Sequence, residues 1–390
     1  MMRSAAFFVV FMASTVSAFA HHGGGTFDLS KSVTYEGKLT KVELVNPHSW
    51  LYFDVTDTNG KVSHHRCEMR SVHVLRRSGW SQELFPVGQK ITVEAAPDKI
   101  DPSSCYLNTI RFDNGSHMDR YGQYVKAEGA IREVRGPVVV PNTAREPRRP
   151  TGEPNISGDW APEQVVMVDP RGTGGGLVPL GRLGEFKPGE RTGGAGGGGG
   201  RRGAGAAAGP RLYGGTELTE LGTQAAASFA QKDNPRFRCE TTSITFDWTF
   251  DGPVNRIAQN KDTILLQYGQ MGLKRTIYMN LKQHPATLKP SRAGHSIGRW
   301  EGDVLVVDTV GFLPGVLNAP VRHGDKLHVV ERFSLDPKTM KLTRSYTADD
   351  PMYLKGQYAG SDVVGVADAP YTQDHCKEQG FIDYSKQAGK

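Results

Sequence analysis

"LYFDVTDTNGKVSHHRCEM", residues 51–69, decides the fold of the first part of this chain. Leu51, Phe53 and Val55 alternate with Tyr52 and Asp54, the period of two that marks a half-buried strand. Asn59-Gly60 then gives the strongest short hairpin signal, and a second strand is expected over Val62 to Met69. Outward from this hairpin, residues 33–44 read as one strand with a bulge near Gly37. Ser71 to Gly79 read as a short helix, and 90–96 and 105–112 as two more strands. Strand-strand-strand-helix-strand-strand is the order of a small Greek-key barrel of the OB type. In that barrel Cys67 on the third strand and Cys105 on the fifth can meet across the wall.

The chain starts with a different signal. Residues 1–20 read as a secretory signal peptide: Arg3 is its positive start, Ala5 to Met12 its apolar run and Ala18-Phe19-Ala20 its cleavage site. That run is shorter than the roughly 20 residues that span a bilayer, and no later segment approaches that length. The mature chain is therefore expected to be periplasmic, with no integral membrane segment. Four cysteines suit an exported protein and favour disulfides, with three connectivities open and free buried thiols as the alternative. The simplest arrangement pairs Cys67 with Cys105 and Cys239 with Cys376, so that each bridge closes inside one folding unit.

Composition divides the rest. "GTGGGLVPLGRLGEFKPGERTGGAGGGGGRRGAGAAAGP", residues 172–210, cannot bury enough apolar surface to offset its ordering entropy. The expected layout is an OB-like β domain over 21–115, a Gly/Pro/Arg-rich linker over 116–154, and a second β domain over 155–390 with a Gly-rich insertion at 171–211. The formal net charge is +6, and +4 of it falls between Arg132 and Arg211. A nucleic-acid surface would gather basic residues on one folded face beside stacking aromatics, so no nucleic-acid partner is expected. Apart from a helix over 217–230, the second domain alternates like strand, at 241–250, 263–269, 274–280, 296–301, 303–309, 326–334 and 340–347. Such a succession suggests an antiparallel up-and-down barrel of lipocalin-like form. The fold class is mainly β.

"HHGGGTFD", "NPHSWLYFDV", "RRSGW" and "PVGQKITVE" resemble, in order, the phrases of an uncharacterised family of exported Gram-negative proteins whose mature chains begin His-His. "GHSIGRWEGDVLVVDTVGF", "HGDKLHVVERF" and "ADDP" are similar to a second phrase set of exported proteins. The resemblance implies export and two units of unknown function, and brings no reaction with it.

Two constellations could carry chemistry. Cleavage after Ala20 makes His21 the mature N-terminus, where its α-amine and imidazole can chelate one metal, with His48 or His22 as the next nitrogen. Cleavage after Ala18 puts His21 third, where amine and backbone nitrogens bind the same ion. Nitrogen-only tetragonal ligation favours copper(II). The leading reading is thus a small-ligand-binding protein that takes copper at this end. The alternative is a lyase, isomerase or hydrolase acting on a small apolar molecule inside the second barrel. There the period of two puts Asp308 with Val304 and Val306, and Glu331 with Leu327, Val329 and Phe333. If those faces point inward, Asp308, Glu331 and a nearby His295 supply acid and base. Gly294-His295-Ser296-Ile297-Gly298 has the Gly-x-Ser-x-Gly spacing but reads as a strand entrance, not the strand-to-helix elbow that exposes a nucleophile, and His-Glu-x-x-His does not occur.

Overall fold

Gly37 is where the first strand bends. In the computed structural model, which describes residues 27–120, 124–125, 145–167, 177–179 and 212–378, strand β1 (Val33–Glu43) pairs with two partners in succession. Its first half runs beside β4 (Lys90–Pro97) and its second half beside β2 (Trp50–Thr56). A Cβ at Gly37 would press into the carbonyl of Asp54, so the close approach requires glycine. The bulge lies between Leu39 and Lys41, slightly beyond the expected position. β2 and β3 (Val62–Glu68) form the hairpin, with Gly60 at φ +80°. Helix α1 (Val72–Arg77) stops at Gly79, and β5 (Ser104–Phe112) closes the circle. β5 pairs antiparallel with β4 and parallel with β3, and Cys67 and Cys105 face each other in that parallel pair and are bonded. This is a five-stranded OB-type barrel around Leu51, Phe53, Val93, Leu107 and Ile110.

The second unit is a closed barrel of nine strands. They are β6 (Gly158–Ala161), β7 (Asn255–Gln259), β8 (Thr263–Gln267), β9 (Lys274–Tyr278), β10 (His295–Glu301), β11 (Val304–Val310), β12 (His328–Asp336), β13 (Lys341–Asp349) and β14 (Tyr358–Val366). β6 closes the ring between β14 and β7, and every neighbouring pair is antiparallel except β9–β10. The up-and-down order therefore breaks once, where residues 279–294 carry the chain back along the outside.

Residues 241–250 form no strand but a run of turns. Ser243 Oγ accepts from the amide of Phe246, and Asp247 accepts from that of Thr242, local bonds that compete with a ladder. This segment plugs the barrel. Trp248 is fully buried, with its ring edge-on to Tyr268 and Phe333. At the wall, Tyr346 on β13 lies opposite Gly360 on β14, and a Cβ there would overlap the phenol ring. Gly360→Ala is expected to destabilise the protein by about 1–3 kcal/mol, read as a lower urea midpoint at unchanged slope.

After β14 the chain leaves the second barrel and straps both units together. The Asp368 carboxylate receives Arg77 Nε at 2.8 Å and Nη2 at 3.2 Å from α1. Asp374 accepts from Asn46 Nδ2 of the first unit and from the amide of Met271 of the second. Cys376 is bonded to Cys239, and Lys377 donates its amide to Asn46 O at 3.1 Å and its Nζ to Glu43 at 2.7 Å. Among the described residues no helix is long and apolar enough to cross a membrane.

Candidate functional site

β11 is covered on both faces, and this decides which of its side chains are available. Leu305 and Val307 belong to the barrel core, while Val304, Val306 and Asp308 face outward, Asp308 against His284 of the returning segment 279–294. Asp308 is thus on the outer wall, which corrects the expectation that it points into the barrel. A period of two shows which residues share a face; it cannot name the inner face when both are apolar.

Glu331 does face inward, but it is no acid or base awaiting a substrate. It is fully buried between two arginines that are themselves at most 2% exposed. Arg275 Nη2 meets Glu331 Oε2, and Arg344 Nη1 lies 3.3 Å from Oε1. Arg275 also donates to Ser296 and Thr309, and Arg344 to the carbonyls of Ile244 and Thr245 and to Asp362. Through Arg344 this network is bonded to the plug at Ile244 and Thr245. Glu331 is separated from Asp308, and the three-residue interior site does not form.

Asp308 and His295 do come together, through a residue that the sequence did not single out. His284, on the returning segment, places Nε2 2.9 Å from Asp308 Oδ1 and Nδ1 2.8 Å from His295 Nδ1. On the other side, His328 Nε2 lies 3.0 Å from Asp308 Oδ2. Four groups therefore form one chain, His328–Asp308–His284–His295. Tyr278 stacks on His295 with ring centroids 5.1 Å apart. The site is half-open: the side chains of His284, Asp308 and His328 are 18%, 30% and 40% exposed.

Electrostatics fix the protons. Burial works to raise the Asp308 pKa, but hydrogen bonds from His284 and His328 and their charges outweigh it and hold the carboxyl below its usual range. An ionised carboxylate only accepts, so both histidines turn an Nε2–H toward it. Burial first, and His284 second, depress the pKa of His295, which keeps that ring neutral at pH 7. Such a chain can pass a proton between rings, or yield its shared proton to a cation.

His48 has other surroundings. Its Nδ1 lies 3.3 Å from Glu68 Oε2, and its ring is edge-on to Phe237 of the second unit. His21 and His22 lie outside the described residues. Among the described residues no three His, Cys, Asp or Glu side chains are grouped to hold one ion. A shallow depression of about 350 Å³ at the rim of the second barrel, floored by Ile264, Met279 and Trp300, contains neither Asp308 nor His295.

His328 was legible in part: on β12 it alternates with Glu331 to the opposite face, and its diagonal cross-strand neighbour on β11 is Asp308. His284 had no such signal, because a loop has no periodicity.

Fold and site together define a two-barrel protein with two disulfides and an imidazole–carboxylate chain on its outer wall. Residues 9–104 match the model of a family of unknown function, DUF6152, so the N-terminal part is a domain of unknown function, as the phrases within 21–112 imply. No curated protein and no solved structure matches the chain.

Proposed function

We propose that this is an exported transition-metal-binding protein that holds copper(II) between Nδ1 of His284 and Nδ1 of His295. The signal-like leader and the two disulfides support export. The observation that carries the metal reading is the 2.8 Å separation of the two nitrogens. Two imidazole nitrogens cis on a tetragonal ion, at bonds of about 2.0 Å, stand about 2.8 Å apart, whereas a tetrahedral zinc would spread them to about 3.3 Å. Asp308 fixes the far nitrogen of His284, the carboxylate–histidine arrangement that orients a ligand and raises its basicity. His328 steadies Asp308 from the other side.

Copper(II) titration of the full-length exported protein, read by calorimetry and by electron paramagnetic resonance, tests this. His284→Ala and His295→Ala are each expected to weaken binding by about 100-fold, close to 3 kcal/mol. Asp308→Asn should cost about 10–100-fold with two-nitrogen ligation retained in the spectrum. The expected competitor is the mature N-terminus. Should His21→Ala abolish binding while His284→Ala leaves it intact, the copper belongs to His21, with His22 or His48, and the wall site is wrong.

A further inference from the structure

The two disulfides of this protein sit in opposite surroundings. Cys67 and Cys105 are wholly buried inside the first barrel. Cys239 and Cys376 are partly exposed and lie between the two units. We propose that Cys239–Cys376 is a thiol–disulfide exchange site for a dithiol partner, and that its opening frees the C-terminal strap from the first barrel.

The strap is built so that this bond is its anchor. Beyond Tyr371 its ties to the first unit are few: the buried Asp374 carboxylate to Asn46 and His73, the amide of Lys377 to Asn46 O, and Lys377 Nζ to Glu43. The exposed tie of Lys377 to Glu43 holds weakly once the chain that bears it can leave. The bridge, by contrast, joins residues 137 positions apart and holds Cys376 against the carbonyl of Asn46. Arg238 and Lys377 flank the two cysteines in sequence, each paired with a carboxylate, Glu240 and Glu43.

The exchange balances within the two molecules. A thiolate of the partner attacks one sulfur of the bridge, and the other sulfur leaves as a thiolate and takes up a proton. The partner's second thiol then resolves the mixed disulfide. This protein gains two electrons and two protons as two thiols, and the dithiol partner becomes a disulfide. The buried Cys67–Cys105 bond offers no line of attack while the first barrel stays folded.

The full chain, treated with dithiothreitol as the dithiol and without denaturant, gives the test. After alkylation, mass spectrometry should find Cys239 and Cys376 modified at least about tenfold faster than Cys67 and Cys105. Hydrogen exchange of residues 371–378 should rise by about tenfold or more, with exchange in β1 to β5 unchanged. The double variant Cys239→Ser/Cys376→Ser should show the same fast exchange with no reductant. Reduction of both bridges at similar rates overturns the proposal. So does selective reduction that leaves exchange in 371–378 as it was.

Discussion

Glu331→Gln should unfold the second barrel far more easily than any change at the outer wall, costing about 3–5 kcal/mol. Folding has taken one carboxylate and two guanidiniums out of water at this point, and all three are essentially unexposed. Their desolvation is offset only while opposite charges stay in contact and the remaining donors are bonded. Glutamine keeps the shape but removes the charge. Arg275 would then have no carboxylate partner beside the hydroxyls of Ser296, Thr309 and Tyr268, and Arg344 would keep one carboxylate, Asp362, beside the carbonyls of Ile244 and Thr245. A domain of this kind has about 5–15 kcal/mol in total, so the loss is a large fraction of it. Urea unfolding followed by tryptophan fluorescence reads it, because Trp248 packs against the same interior. Asp308→Asn, on the outer wall, should shift the same curve by less than about 1 kcal/mol. A Glu331→Gln protein within 1 kcal/mol of wild type would show that the arginines can be held without it.

Acid should loosen the protein well above the range in which carboxylates titrate. His73 on α1 is buried beside the strap, and burial first of all depresses its pKa to about 4. The charges of Asp374 and Asp251 work to raise it, and those of Arg236 and Arg76 to lower it further. Asn46 Nδ2, a donor, lies 2.7 Å from His73 Nε2, which therefore carries the lone pair of a neutral ring. The unfolded chain binds this proton near pH 6.5, and the folded protein only near 4. Below pH 6.5 the unfolded state thus holds more protons, and stability falls as pH falls, by up to about 1.4 kcal/mol per pH unit until the folded group titrates. The full effect is about 3 kcal/mol, present above pH 6.5 and gone near pH 4. His65, His295 and His323 are depressed in the same direction, so the difference between wild type and His73→Gln isolates this residue. Unfolding free energies at pH 7, 6, 5 and 4.5 should diverge from those of the variant as pH rises. Parallel curves would show that folding leaves the His73 pKa where it stands in the unfolded chain.

The first barrel was legible from its strands because each has one apolar face. Leu51, Phe53 and Val55 alternate with polar neighbours, Asn59-Gly60 fixes the hairpin, and the cysteines of the third and fifth strands fall in register. The second barrel resisted in three places, each with a physical cause. At 241–250 apolar residues alternate, yet Ser243 and Asp247 bind the local backbone and turn the segment into a plug. At 304–310 both faces of the strand are apolar, so alternation alone does not say on which side of the wall Asp308 lies. The strands 158–161, 255–259 and 358–366 are short or polar on their exposed positions, and only closure of the ring recruits them.

By itself the sequence determined the β class, the hairpin order of the first unit, and which residues of β11 and β12 share a face. Those properties depend on neighbours a few positions apart, where alternation and turn chemistry act. Only the tertiary structure decided that Glu331 is neutralised by Arg275 and Arg344, that the returning segment lays His284 between Asp308 and His295, and that the strap ties one barrel to the other. Each of these brings together side chains far apart along the chain, and their meeting depends on how the ring closes and which face it buries.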